Sequence, residues 1–150
     1  MIDISSKDVV FREARAEGYI RLREETIRLI REGKVEKGDV FTIAKVAAIQ
    51  AVKKVPEVLP LCHNIPITFV DVKFQVVSRD RVRVEAIVRA SARTGVEMEA
   101  LTAVVVALLN VWDIVKKYEK DESGQYPWTV IEGVRVTSKT KERVSSCQGC

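Results

Sequence analysis

Residues 67–91 read ITFVDVKFQVVSRDRVRVEAIVRAS. Apolar and polar side chains alternate from Ile67 to Val77 and again from Arg81 to Ser91, with Ser78, Arg79 and Asp80 between them. Period-two alternation on both sides of a short polar break predicts a β-hairpin.

Working outward toward the C-terminus, Gly95 ends the second arm, and EMEALTAVVVALLNVWDIVKKYEKD follows. This stretch predicts the longest helix, apolar on most faces and therefore deeply packed. Gly124 to Pro127 break the chain, and TVIEGVRVTSK predicts a last strand. Toward the N-terminus, Ala14, Ala16, Gly18, Ile20 and Leu22 alternate with Glu13, Arg15, Glu17, Tyr19 and Arg21. That is a strand pattern, although the Ala and Glu content leaves a helix open. LREETIRLIREG switches to helical spacing and stops at Gly33. Asp39 is placed to cap a second helix whose buried face holds Phe41, Ala44, Ala48, Ala51 and Val52. That helix should run out at Val55-Pro56, because a residue before proline disfavours the α region. The order β-α-α-β-β-α-β predicts an α+β, ferredoxin-like sandwich: an antiparallel sheet with helices on one face and one extra helix inserted. A single domain is expected over residues 1–150, with the tail from about Lys141 loosely held.

Composition narrows the function little. The chain of 150 residues is 47% hydrophobic and 31% charged, with a net charge of +4. This balance is compatible with a polyanionic metabolite or a nucleic acid without singling out either. MIDISSKD lacks a basic-then-apolar signal pattern. ALTAVVVALLNVWDIV is interrupted by Thr102, Asn110 and Asp113, which argues against a membrane span. A cytoplasmic protein is expected. Of three cysteines, Cys147 and Cys150 close the chain as CQGC, and a lone C-x-x-C cannot complete a tetrahedral metal site within one chain. No metal is expected. Glycine-rich phosphate loops, H-E-x-x-H and a nucleophile elbow are missing from the sequence.

Several residues could carry chemistry. His63, the only histidine, stands in VPEVLPLCHNIPITF beside Cys62, with prolines on both sides. A loop histidine satisfied by backbone is the plain reading; a stiffened loop holding His63 and Cys62 for a ligand is the functional one. Glu97 and Glu99 open the longest helix, where the helix dipole favours carboxylates. Asp113 and Lys116 lie one turn apart near its end, so an ordinary helical ion pair competes with an acid–base pair. The apolar residues before Asp113 suggest a drier site there. Lys37 precedes a helix start, where backbone N–H groups favour anions. Lys53, Lys54, Arg135 and Lys139 are further candidates for phosphate contacts.

Taken together, KGDVF, AAIQAVKK, LPLCHNIPI, TGVEMEALTAVVVALL and WDIVKK resemble, in order and over nearly the whole chain, the molybdenum-cofactor biosynthesis protein C (MoaC) family, the cyclic pyranopterin monophosphate synthases. The resemblance implies a lyase that takes a small-molecule substrate, the 3′,8-cyclised dihydro-GTP made by an upstream radical-SAM enzyme. The products would be cyclic pyranopterin monophosphate and diphosphate, and no cofactor is implied. Asp113, Lys116 and Lys37 match the family's catalytic residues. Leu61, Cys62 and His63 match its substrate-binding loop, and Met98 and Glu99, beside Glu97, a second binding segment; Lys53 and Lys139 match further site lysines. A homohexamer, a trimer of dimers with sites at subunit interfaces, is also implied. Asn64 stands where the family commonly has proline. SKTKERVSSCQGC stands where a Gly-Gly-Lys-Ser-Gly-like stretch is usual, which leaves the role of Lys141 open.

The rival reading is a ferredoxin-like module that binds RNA or a small ligand without catalysis. Phe69 and Phe74 are the hairpin's only aromatics, so a base-stacking sheet is disfavoured, and neither nucleic acid nor membrane is expected as a partner. Geometry adds one more expectation. Glu99 and Asp113, fourteen residues apart on one helix, share a face yet are separated by a rise of about 21 Å. Serving one reacting centre would therefore take two subunits.

Overall fold

A computed structural model of the chain describes residues 1–143. Four strands form one sheet: β1 (Val10–Arg21), β2 (Ile67–Val76), β3 (Arg81–Ala92) and β4 (Val130–Glu142). Their spatial order is β2-β3-β1-β4 and every neighbouring pair is antiparallel. The hairpin closes with Val76 opposite Val82. Val10 to Arg21 pairs residue by residue with Ala92 to Arg81, so the N-terminal alternation is a strand and the helical alternative falls. At the other edge Arg12 pairs with Lys141 and Phe11 with Glu142. The terminal CQGC lies outside the described residues.

Helices α1 (Glu24–Arg31), α2 (Val40–Val52), the single turn α3 (Val55–Val58) and α4 (Glu97–Glu119) complete the ferredoxin-like sandwich. α4 packs on β1, β3 and β4, while α2 packs on α4 and β2. Asp39 caps α2, its side chain accepting from the Thr42 N–H at 3.0 Å. α2 stops at Val52, short of the expected end at Val55-Pro56. Pro56 lies instead in the first turn of α3, where its missing N–H leaves no helical bond unmade. Ala44, Ala48 and Val52 are buried as expected, whereas Phe41 is half-buried and stacks on Phe74 at 4.8 Å.

The contact between α4 and β1 depends on Gly18. A Cβ there would lie 2.8 Å from Val104 Cγ1 and 2.9 Å from Leu108 Cδ1, so only glycine admits the helix so close. Val104, Leu108, Val111 and Val115 are fully buried on this side, each contributing roughly 1.5–3 kcal/mol. By length and composition α4 would also pass as a membrane span, contrary to the expectation from its polar interruptions. Its packing against sheet and α2 makes it the core helix of the sandwich.

Two carboxylates are buried that alternation and periodicity place no differently from surface residues. Glu17, on the strand face away from the helices, is covered by Arg83 at 2.8 Å and Arg135 at 2.8 Å. Glu119 is fully buried and acts as a remote cap for α1. Its two oxygens both lie 3.1 Å from the Arg23 N–H, and it also accepts from the hydroxyls of Thr26 and Thr129.

Candidate active site

Most of the candidate site residues gather in two places, one at each end of α4. At the C-terminal end, Lys116 Nζ donates to Asp113 Oδ1 at 2.8 Å, as an i, i+3 pair should. Lys37 arrives from the loop between α1 and α2. Its Nζ lies 3.0 Å from the Asp113 main-chain oxygen and 3.4 Å from Oδ2. The two ammonium groups, Lys116 first, hold the Asp113 carboxyl below the usual carboxylate range, and the same hydrogen bond raises Lys116. At neutral pH the cluster is therefore held in its charged form, and Asp113 becomes a stronger base and Lys116 a stronger acid only when a bound substrate parts the pair. The drier setting expected for Asp113 is not found: its side chain is 60% exposed. The apolar residues on either side of it, Val111, Ile114 and Val115, turn inward, while Asp113 falls on the outer arc of the helix. Trp112 and Tyr126 meet edge to face at 5.4 Å next to this cluster. The Tyr126 phenol adds a small further rise to Lys116, a contribution that no sequence spacing foretold.

At the N-terminal end of α4, a cleft of about 370 Å³ is lined by Leu61, Cys62, His63, Glu97, Met98 and Glu99, with Met1, Ile2 and Ile4 along one side. His63 is bonded to backbone and also borders the cleft: Nε2 lies 2.8 Å from the Ile2 carbonyl oxygen. A turn closed by the Cys62 N–H to the Leu59 carbonyl, 2.9 Å, shapes the loop. Glu99 is 3% exposed at the base, and burial, with Glu97 adding to it, pushes its carboxyl above the usual range. Burial and the nearby Glu99 push the Cys62 thiol up as well, so it is a packing and contact group rather than a ready nucleophile.

A second cleft, about 520 Å³, adjoins the first and shares Lys7, Thr94, Gly95 and Glu97 with it. Its walls are cationic: Lys7, Arg12, Arg93, Lys139, Lys141 and Arg143. Lys139 pairs with Glu97 at 3.1 Å. The i, i+2 spacing of Lys139, Lys141 and Arg143 in TSKTKER is the one sequence signal for this wall, since alternate residues of a strand share a face. Arg12 and Arg93 were missed because β1–β3 pairing brings them together from distant sequence; an Arg12 Nη2 bond to the Arg93 carbonyl spans 3.3 Å.

Other candidates lie elsewhere. Lys53 and Lys54 are exposed just past the end of α2 and line neither cleft. Arg135 is bound to Glu17 on the outer sheet face. Among the described residues, no three His, Cys, Asp or Glu side chains are grouped to hold a metal ion. Phe69 lies under the Arg89 guanidinium at 4.7 Å and Phe74 is stacked on Phe41, so the hairpin does not present a pair of open aromatic rings.

An antiparallel sandwich with a carboxylate–lysine cluster at one end of its longest helix, and a cation-lined cleft at the other, has the layout of an enzyme. The chain belongs to the MoaC family, whose model matches residues 1–142, and so to the enzymes of molybdenum-cofactor biosynthesis. A relative from Sulfurisphaera tokodaii named probable cyclic pyranopterin monophosphate synthase is 59% identical over 141 residues, covering 94% of this chain and 93% of the relative. One from Pyrococcus abyssi with the same name is 60% identical over 141 residues, covering 94% and 88%. A third, from Methanothermobacter thermautotrophicus, is 55% identical over 141 residues, covering 94% and 88%, and is named probable cyclic pyranopterin monophosphate synthase accessory protein.

Proposed function

We propose that this protein converts (8S)-3′,8-cyclo-7,8-dihydroguanosine 5′-triphosphate into cyclic pyranopterin monophosphate, releasing diphosphate. The observation that carries the reading is the convergence of Lys37, Asp113 and Lys116 at hydrogen-bonding distance. The rearrangement opens one ring and closes another, each step moving protons without net oxidation. A carboxylate between two ammonium groups supplies both a base and an acid for it. The names of relatives 52–60% identical to this chain support the same chemistry. The cleft of Leu61, Cys62, His63, Met98 and Glu99 suits the reduced purine-derived ring system. The adjoining cationic cleft suits the triphosphate, whose charge Lys139, Arg12 and Arg93 would offset.

These two halves stand at opposite ends of α4, about 21 Å apart along its axis. In the proposed enzyme one subunit supplies the clefts and a neighbour supplies Asp113, Lys116 and Lys37. A dimer is then the catalytic minimum and a trimer of dimers the assembly. An upstream radical-SAM enzyme feeds it in the cytoplasm. The test is turnover of the cyclised nucleotide generated in situ from GTP by such an enzyme. Formation of the pterin monophosphate together with diphosphate is expected; persistence of the cyclised nucleotide with folded protein present overturns the proposal.

A further inference from the structure

Lys37 reaches Asp113 from a loop whose own backbone bonds are few, the Lys34 N–H donating to the Leu29 carbonyl at 3.0 Å and the Gly38 N–H to the Val35 carbonyl at 3.1 Å. Between α1 and α2, Val35 alone is buried, and Gly33 and Gly38 both adopt positive φ, 65° and 115°. Lys37 and Asp113 are themselves 49% and 60% exposed. Exposed ion pairs do not by themselves fix two long side chains in one geometry. Yet the residue next to Lys37 is clamped to the helix that carries Asp113. The Glu36 N–H donates to the Tyr118 hydroxyl at 3.0 Å, and the Glu36 carboxylate pairs with the Lys117 ammonium. Lys117 in turn lies 5.2 Å from the Tyr118 ring centroid, while that ring packs against the core. One helix thus presents Asp113 and Lys116 and, a turn further on, grips the backbone that delivers Lys37.

We propose that Tyr118, assisted by Lys117, is a positioning residue: it holds the Glu36 backbone so that the Lys37 ammonium stays on Asp113. The catalytic consequence rests on the function proposed above, but the clamp itself does not. Removing the hydroxyl frees one main-chain donor on a loop with two glycine hinges, and the loop then carries Lys37 away from Asp113 for part of the time. Proton transfer depends steeply on such placement.

The test uses the full-length chain with Tyr118→Phe, which keeps the packed ring and removes only the hydroxyl, together with Lys37→Met and the double variant. The first readout is the titration of the Asp113 side-chain carboxyl carbon by NMR, which does not depend on turnover. Lys37→Met is expected to raise the Asp113 midpoint, because the Lys37 hydrogen bond is one of the two that lower it. Tyr118→Phe should move it in the same direction by less, and the double variant should match Lys37→Met alone. The second readout is turnover: Tyr118→Phe should lower kcat roughly tenfold with KM little changed, whereas Lys117→Arg, which keeps the pairing with Glu36, should retain activity. An Asp113 midpoint that moves with Lys37→Met but stays put in Tyr118→Phe overturns the clamp. So does additivity in the double variant, or no movement in Lys37→Met. A moved midpoint with turnover indifferent to Lys37→Met supports the clamp and instead overturns the catalytic role of Lys37.

Discussion

Lys37 Nζ lies 3.0 Å from the main-chain oxygen of Asp113, across 76 residues of sequence. This contact joins a loop to the end of the core helix and, with Lys116, encloses one carboxylate between two cations. Each partner is largely solvent-accessible, so neither is needed to fill the core. Asp113→Ala and Lys116→Ala should each lower turnover by about a hundredfold or more while circular dichroism and cooperative unfolding stay as in the parent. Near-normal turnover in either variant would remove that residue from the chemistry.

Glu99 has its proton affinity raised by burial, so its sign is opposite to that of a paired carboxylate. The folded state prefers the protonated acid. Its contribution to stability is complete below the ordinary glutamate range and is lost as pH rises through the elevated folded value. Glu99→Gln should therefore raise the melting temperature at pH 7 and flatten the fall in stability above the usual glutamate range, while weakening substrate binding. Parallel stability curves for variant and parent from pH 4 to pH 8 would contradict this account.

Glu119 accepts from the Arg23 N–H and from the Thr26 and Thr129 hydroxyls inside the protein. Glu119→Ala leaves these donors buried without partners and should cost about 3 kcal/mol, measured by urea denaturation with an unchanged m-value. A loss below ~0.5 kcal/mol would mean that water replaces the carboxylate at no cost.

Complementation tests the division of the site between subunits. His63→Ala and Asp113→Ala should each be inactive alone, for defects at opposite ends of α4. Mixed under subunit exchange, they should recover part of the parent activity, because a heterodimer retains one intact site. No recovery despite exchange shown by mass spectrometry, or full activity from a monomer, would place the whole reaction in one chain.

The hairpin was legible in the chain, and the first strand partly so, read over 12–22 with a helix left open, because side chains alternate wherever one face of a sheet is buried and the other is not. The helices were legible through spacing and through Asp39, whose cap acts over three residues. These are local forces, and so is the Asp113–Lys116 pair. Proline misled at the end of α2, since Pro56 opens the next turn instead of closing the last. The motifs around His63 and Glu99 pointed to one family without geometry, and the family match agrees.

Interactions between distant residues required the folded chain. The cationic cleft exists because β1 pairs with β3 on one side and β4 on the other, aligning Arg12 with Lys141 and bringing Arg93 alongside. Asp113 is exposed because α4 turns Val111, Ile114 and Val115 inward against the protein, which an apolar run alone does not reveal. Glu17 and Glu119 are charged residues buried against partners that are mostly far away in sequence. The grip of Tyr118 on Glu36 belongs to the same class. A residue's periodicity reports which side of its own element it occupies; what stands on that side is set by how the elements pack.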